Sequence, residues 1–95
     1  MPITRIVKMT FKPEHSAEFE AYFLTIKSKV AGQPGCNGVK LLKEKGETGV
    51  FFTYSQWDSE DDLNNYRRTE IFGQIWPTVK NWFAKKAEAW TVNKL

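Results

Sequence analysis

Little in this chain is of the kind that builds a reactive centre. It holds one cysteine, Cys36, and one histidine, His15, in 95 residues. A lone cysteine closes no internal disulfide, and one thiol with one imidazole cannot make a zinc site of Cys and His. No apolar stretch approaches the ~20 residues that a membrane-spanning helix requires. The opening Met1-Pro2-Ile3-Thr4-Arg5-Ile6-Val7-Lys8 lacks the apolar core of a secretory leader, so a cytoplasmic location and no membrane partner are expected. Basic charge is nowhere concentrated: Lys and Arg number 14 against 11 Asp and Glu, and the largest basic clusters are the pairs Arg67-Arg68 and Lys85-Lys86. Nucleic-acid binders present a basic face, so no nucleic-acid partner is expected either. Also missing are a Gly-rich phosphate loop, a dinucleotide fingerprint and a nucleophile elbow.

What is abundant is aromatic. Seven Phe, four Trp and three Tyr are enough to build a core and an interface, or to line an apolar pocket. Apolar residues at 41% and charged residues at 26% are ordinary globular usage, which excludes disorder. A chain of this length forms one domain, residues 1–95.

Periodicity orders the chain. Residues 3–11 alternate, with Ile3, Arg5, Val7, Met9 and Phe11 on one side, and read as a strand. Lys12-Pro13-Glu14 ends it. Phe19, Tyr22, Phe23, Ile26 and Val30 then form one face of a helix, with Glu18, Glu20, Lys27 and Lys29 toward water, until Gly32-Gln33-Pro34-Gly35 breaks it. Residues 36–44 read as a second strand, 45–49 as a hairpin loop and 50–57 as a third strand. A helix opens at Asp58 or Ser59, with Glu60, Asp61 and Asp62 in its first turn and Arg67 and Arg68 in its last, complementing the helix dipole at both ends. Ile71, Phe72, Ile75, Val79 and Phe83 share a further helical face, and Pro77 predicts a break or kink near Trp76. Ala84–Ala89 favours helix, whereas Ala89-Trp90-Thr91-Val92 suits a strand, and local signals leave that boundary open. The order is that of a ferredoxin-like βαββαβ α+β fold with an antiparallel sheet. Helices cover only one sheet face. Strand 3 is bulky on both sides, so a second copy of the sheet is the expected cover for the other.

Phe51-Phe52-Thr53-Tyr54-Ser55-Gln56-Trp57-Asp58-Ser59-Glu60, with Leu63, Tyr66 and Phe72 beyond, resembles the signature stretch of the antibiotic biosynthesis monooxygenase superfamily. Phe11-Lys12-Pro13-Glu14 and Gln33-Pro34-Gly35-Cys36 match that family's joints, and the likeness runs over about residues 3–92. It implies a dimeric α/β barrel of two ferredoxin-like sheets, with a pocket between sheet and helices in each protomer. It also implies a fourth strand near residues 88–93. The functional residues of two branches do not carry over. The Asn, Trp and His of the heme-degrading branch fall on Val7, Tyr66 and Trp76, so the iron-ligating imidazole is missing and heme degradation is disfavoured. The His of a quinol- and aldehyde-processing branch falls on Ile71.

Candidate sites follow from this frame. His15 has polar neighbours at a helix start and reads as an exposed histidine, and Cys36 has no histidine beside it and reads as a small buried apolar residue. Asp58, Glu60, Asp61 and Asp62 read as helix-start acids, so no metal is expected. Arg5, on an otherwise apolar strand face, either snorkels at a sheet edge, pairs with an acid across a dimer, or binds a ligand anion. The expected pocket is lined by Val7, Phe23, Tyr66, Ile71, Phe72, Trp76 and Trp82, for which plain core packing is the alternative. Tyr66 brings a hydroxyl able to bond a bound oxygen atom. No residue stands out as catalytic. The resemblance implies a cofactor-independent monooxygenase that acts on a small phenol- or quinol-like aromatic, with neither flavin nor nicotinamide. A non-catalytic dimeric ligand-binding domain on the same scaffold is the alternative.

Overall fold

The computed structural model describes residues 2–95. Strand β1 (Ile3–Phe11) leads through a 3-10 turn (Pro13–His15) into α1 (Ser16–Ala31). Strands β2 (Cys36–Lys43) and β3 (Val50–Trp57) form a hairpin. Helices α2 (Glu60–Arg67) and α3 (Glu70–Lys80) precede β4 (Phe83–Val92). The sheet order is β2-β3-β1-β4 and every neighbouring pair is antiparallel, the ferredoxin-like α+β arrangement.

Each joint has a local cause. The hydroxyl of Ser59 accepts the amide of Asp62 at 3.1 Å and so caps α2, and Thr69 does the same for α3 through the amide of Phe72. Gly49, with φ of 78°, brings its carbonyl within 2.8 Å of the Phe11 amide; a Cβ there would stand 2.5 Å from the Phe11 carbonyl oxygen. Only glycine permits that backbone contact between the hairpin and the end of β1.

Strand alternation sorts the side chains. Residues of β1 with odd numbers face the helices, and Met9 and Phe11 pack there with Phe19, Phe23, Ile26 and Val30 of α1, Phe51 of β3, and Ile75 and Val79 of α3. Phe11 and Phe19 stack at 4.2 Å. Ile3, Trp57 and Leu63 form a second buried group at the other end. The opposite sheet face keeps apolar surface without a helix over it. Leu42 is 49%, Trp90 45% and Val92 40% exposed, and Ile6, Phe52 and Tyr54 beside them are half-buried.

Three expectations are corrected. The helix does not break at Pro77: α3 runs unbroken from Glu70 to Lys80. Pro77 removes the bond to the Gly73 carbonyl, but both residues are exposed, so water can take the freed acceptor. Thr78 meanwhile donates its hydroxyl to the Gln74 carbonyl at 2.8 Å, and burial of Ile75 and Val79 holds the helix on both sides of the proline. Phe83 is not on that helical face; it opens β4, paired with Phe11. The fourth strand begins there rather than near residue 88, because pairing with β1 overrides the helical propensity of Ala84–Ala89. Strand β4 follows β1 with two register shifts, between the partners of Lys8, Thr10 and Phe11. Among the described residues no helix is long and apolar enough to cross a membrane.

Candidate functional site

Cross-strand register builds the floor of a cavity between sheet and helices. Val39, Ser55, Arg5 and Thr91 stand opposite one another across the four strands. Leu41, Thr53, Val7 and Ala89 make the next rung. Val7, Thr53, Ala87 and Ala89 present small side chains to the space under the helices. The cavity measures about 430 Å³, within the range of ligand pockets.

Its roof is helical. Phe19, Phe23, Ile26 and Val30 come from α1, Leu63, Tyr66 and Arg67 from α2, and Phe72, Ile75, Trp76 and Val79 from α3. The last four are spaced at 3, 4 and 7 residues, one stripe of a helix. Aromatic contacts tie the roof together: Trp57 stacks on Tyr66 at 5.2 Å, Tyr66 meets Phe72 edge-on at 5.3 Å, and Phe72 stacks on Trp76 at 6.0 Å.

Of the seven expected pocket residues, Val7, Phe23, Tyr66, Phe72 and Trp76 stand in this wall, and Ile71 and Trp82 do not. Ile71 precedes Phe72 and lies about 100° round the helix from it. Trp82 sits in the turn after α3 and packs outside the cavity, 5.8 Å from the Tyr22 ring and 6.5 Å from His15. Trp76 is in the wall because of its place on the helical stripe, not because the chain bends there. Sequence reading did not foresee Thr53, Ala87 and Ala89, whose signal is only their smallness. Arg5 did carry a signal, as the one charge on an apolar strand face.

The polar members of the wall are few. Tyr66 is its one phenol among the described residues. Burial pushes that hydroxyl up to about 12, with Cys36 and Tyr22 adding to the effect, so it stays protonated and able to donate a hydrogen bond at neutral pH. Ser55 accepts the indole N–H of Trp57 at 3.0 Å. Arg5 neither snorkels at an edge nor faces the uncovered side of the sheet; β1 is an inner strand, and Arg5 Nη1 donates to Thr91 Oγ1 at 2.8 Å. Burial lowers its guanidinium below the ordinary value, Arg67 adds to the lowering and Glu60 opposes it. No Asp, Glu, His, Lys or Cys belongs to the wall among the described residues.

The remaining candidates lie elsewhere. His15 Nδ1 pairs with Glu18 at 2.7 Å at the start of α1. Cys36 is half-buried, its thiol donating toward the Gly38 carbonyl at 3.7 Å. Asp58 accepts from Asn37 at 2.7 Å and Asp62 from the Ser59 hydroxyl at 3.0 Å, and no cluster of three metal-ligating side chains occurs among the described residues.

Residues 2–77 match the sequence profile of the family described as antibiotic biosynthesis monooxygenase. No curated protein sequence matches the chain. Among solved structures, a conserved protein from Methanosarcina mazei superposes with a TM-score of 0.92 at 21% identity, covering 100% of this chain and 94% of that one. A candidate antibiotic biosynthesis monooxygenase from Caulobacter crescentus gives 0.90 at 26% identity, covering 99% and 90%. SnoaB, a cofactor-independent oxygenase from Streptomyces nogalater, gives 0.83 at 20% identity, covering 98% and 92%.

Proposed function

Because this chain belongs to the antibiotic biosynthesis monooxygenase family, we propose that it is a cofactor-independent monooxygenase whose substrate is a small phenol- or quinol-like aromatic. The observation that carries this reading is an aromatic-walled cavity of about 430 Å³ with one protonated phenol, Tyr66, in its wall. The fold it shares with SnoaB, a cofactor-independent oxygenase, supports the same reaction class. The substrate's anion reacts with dioxygen. For an anthrone-like substrate, a methylene and dioxygen become a carbonyl and water, so the substrate supplies every electron that reduces oxygen and the balance needs no external reductant. The protein's part is to exclude water, orient the ring and offer the Tyr66 hydroxyl to a ring oxygen. Among the described residues the wall has no group that accepts a proton at neutral pH, so the substrate itself must ionise readily.

That missing base also favours a second reading, a binding domain that holds such a ligand without turning it over. Heme degradation by iron bound to histidine gains no support, since the wall has no imidazole among the described residues. We place the active form as a homodimer, joined through the exposed Leu42, Trp90 and Val92 face.

Oxygen uptake with a panel of hydroquinones and anthrone-like phenols, without added flavin, nicotinamide or metal, tests the reading. Uptake matched by product supports the oxygenase; ligand binding with no uptake would leave only the binding domain.

A further inference from the structure

Every charge in the cavity wall is positive. Arg5 and Arg67 line it, and no acid does among the described residues. The ion pairs of those residues are Lys8 with Glu88, His15 with Glu18, and Lys43 with Glu20 and Glu47, so neither guanidinium has a carboxylate partner. Glu60 is near enough for its field to oppose the lowering at Arg5, yet it is not a wall residue.

Position makes the pair more than surface solubility. Arg5 is half-buried on an inner strand, on the rung of Val39, Ser55 and Thr91. It spends one of its five N–H donors on Thr91. Arg67, the last residue of α2, lines the same cavity and is near enough to Arg5 for its charge to add to the lowering there, and it also borders a shallow depression with Asn64, Arg68 and Phe72. A partly desolvated cation with no carboxylate paired to it is costly, and an anion brought by a ligand would relieve it. The rest of the wall is apolar, from Val7 and Ala89 to Phe19, Phe23 and Val79.

We propose that the cavity selects an aromatic ligand carrying one anionic oxygen group, a carboxylate or phenolate, which Arg5 and Arg67 hold at the Ser55–Thr91 end while the ring lies among the aromatic side chains. This rests on the cavity being the ligand site, the premise it shares with the oxygenase reading, and on no reaction there. It also answers the missing base, since a site that favours the anion lowers the ligand's own pKa.

Calorimetric titration with naphthalene carboxylate and with neutral naphthylmethanol, which shares its ring system, tests the proposal. The carboxylate should bind the wild-type protein at least about tenfold more tightly, the low end for a hydrogen bond to a charged group. Arg67→Gln, at an exposed position that does not threaten folding, should remove most of that preference, with the loss falling on the carboxylate far more than on naphthylmethanol. Arg5→Gln should do the same where melts show it folded, and Lys27→Gln on the outer side of α1 should change neither probe. Equal binding of the two probes, or an unchanged preference in Arg67→Gln, would overturn the anion preference and leave the cavity as a site. Failure of both probes to bind would overturn the cavity itself. Absence of oxygen uptake with the preference intact would count against the oxygenase alone.

Discussion

Tyr66 is the residue whose chemistry can be followed most directly. Its hydroxyl is raised from 10.0 to about 12 by burial, so the fold favours the protonated form. That contribution to stability is whole below pH 10 and is lost as pH rises from 10 toward 12. Chemical denaturation across this window should therefore show a steeper alkaline loss in the wild type than in Tyr66→Phe; equal slopes would mean that the phenol is not held as described. At neutral pH the same substitution should leave folding nearly unchanged and weaken an oxygen-bearing aromatic ligand by about 0.5–1.5 kcal/mol, the net worth of one hydrogen bond. Trp57, stacked on the Tyr66 ring, is spent differently, since its indole N–H bonds Ser55 and its ring closes the buried group with Ile3 and Leu63.

At the scale of elements, what was legible in the sequence was whatever a period and a cap could state locally. Alternation gave β1 its observed bounds, the run of strand-forming residues from Val50 to Trp57 gave β3, and the start of α2 was narrowed to Asp58 or Ser59, of which Ser59 is the cap. Pro77 and β4 were misread for one reason: tertiary contacts outweighed local preference, burial of Ile75 and Val79 in one case and pairing with β1 in the other. The cavity was half legible. Its aromatic stripe on α3 could be counted from the sequence, but the gap beneath it comes from small side chains on three strands, Val7, Thr53 and Ala89, that only the register brings together. If α3 tolerates Pro77 only because its neighbours are buried, Pro77→Ala should restore a bond to the Gly73 carbonyl and stabilise the protein, by up to ~3 kcal/mol. Thermal or urea unfolding would measure this, and a destabilised variant would mean that the proline has a packing role.

For the whole molecule, two faces of one sheet have different fates. One is roofed by helices and encloses the cavity; the other leaves Leu42, Trp90 and Val92 in the open. Light scattering at micromolar concentration should give twice the 11.0 kDa of the chain, and Trp90→Glu should return it to one chain. A single-chain mass in the wild type would leave the apolar face without its proposed cover. Both the oxygenase and the anion preference require the roofed space to be a ligand site and not a loosely packed core. Val7→Trp puts an indole into that space from the middle of β1, and melting it with and without an anthrone-like phenol is the most direct test. A real cavity predicts a folded variant of near wild-type stability that no longer gains stability from the ligand, beside a wild type that does. A loss of roughly 1–3 kcal/mol or more from Val7→Trp, as overpacking gives, or ligand stabilisation undiminished in the variant, would contradict it.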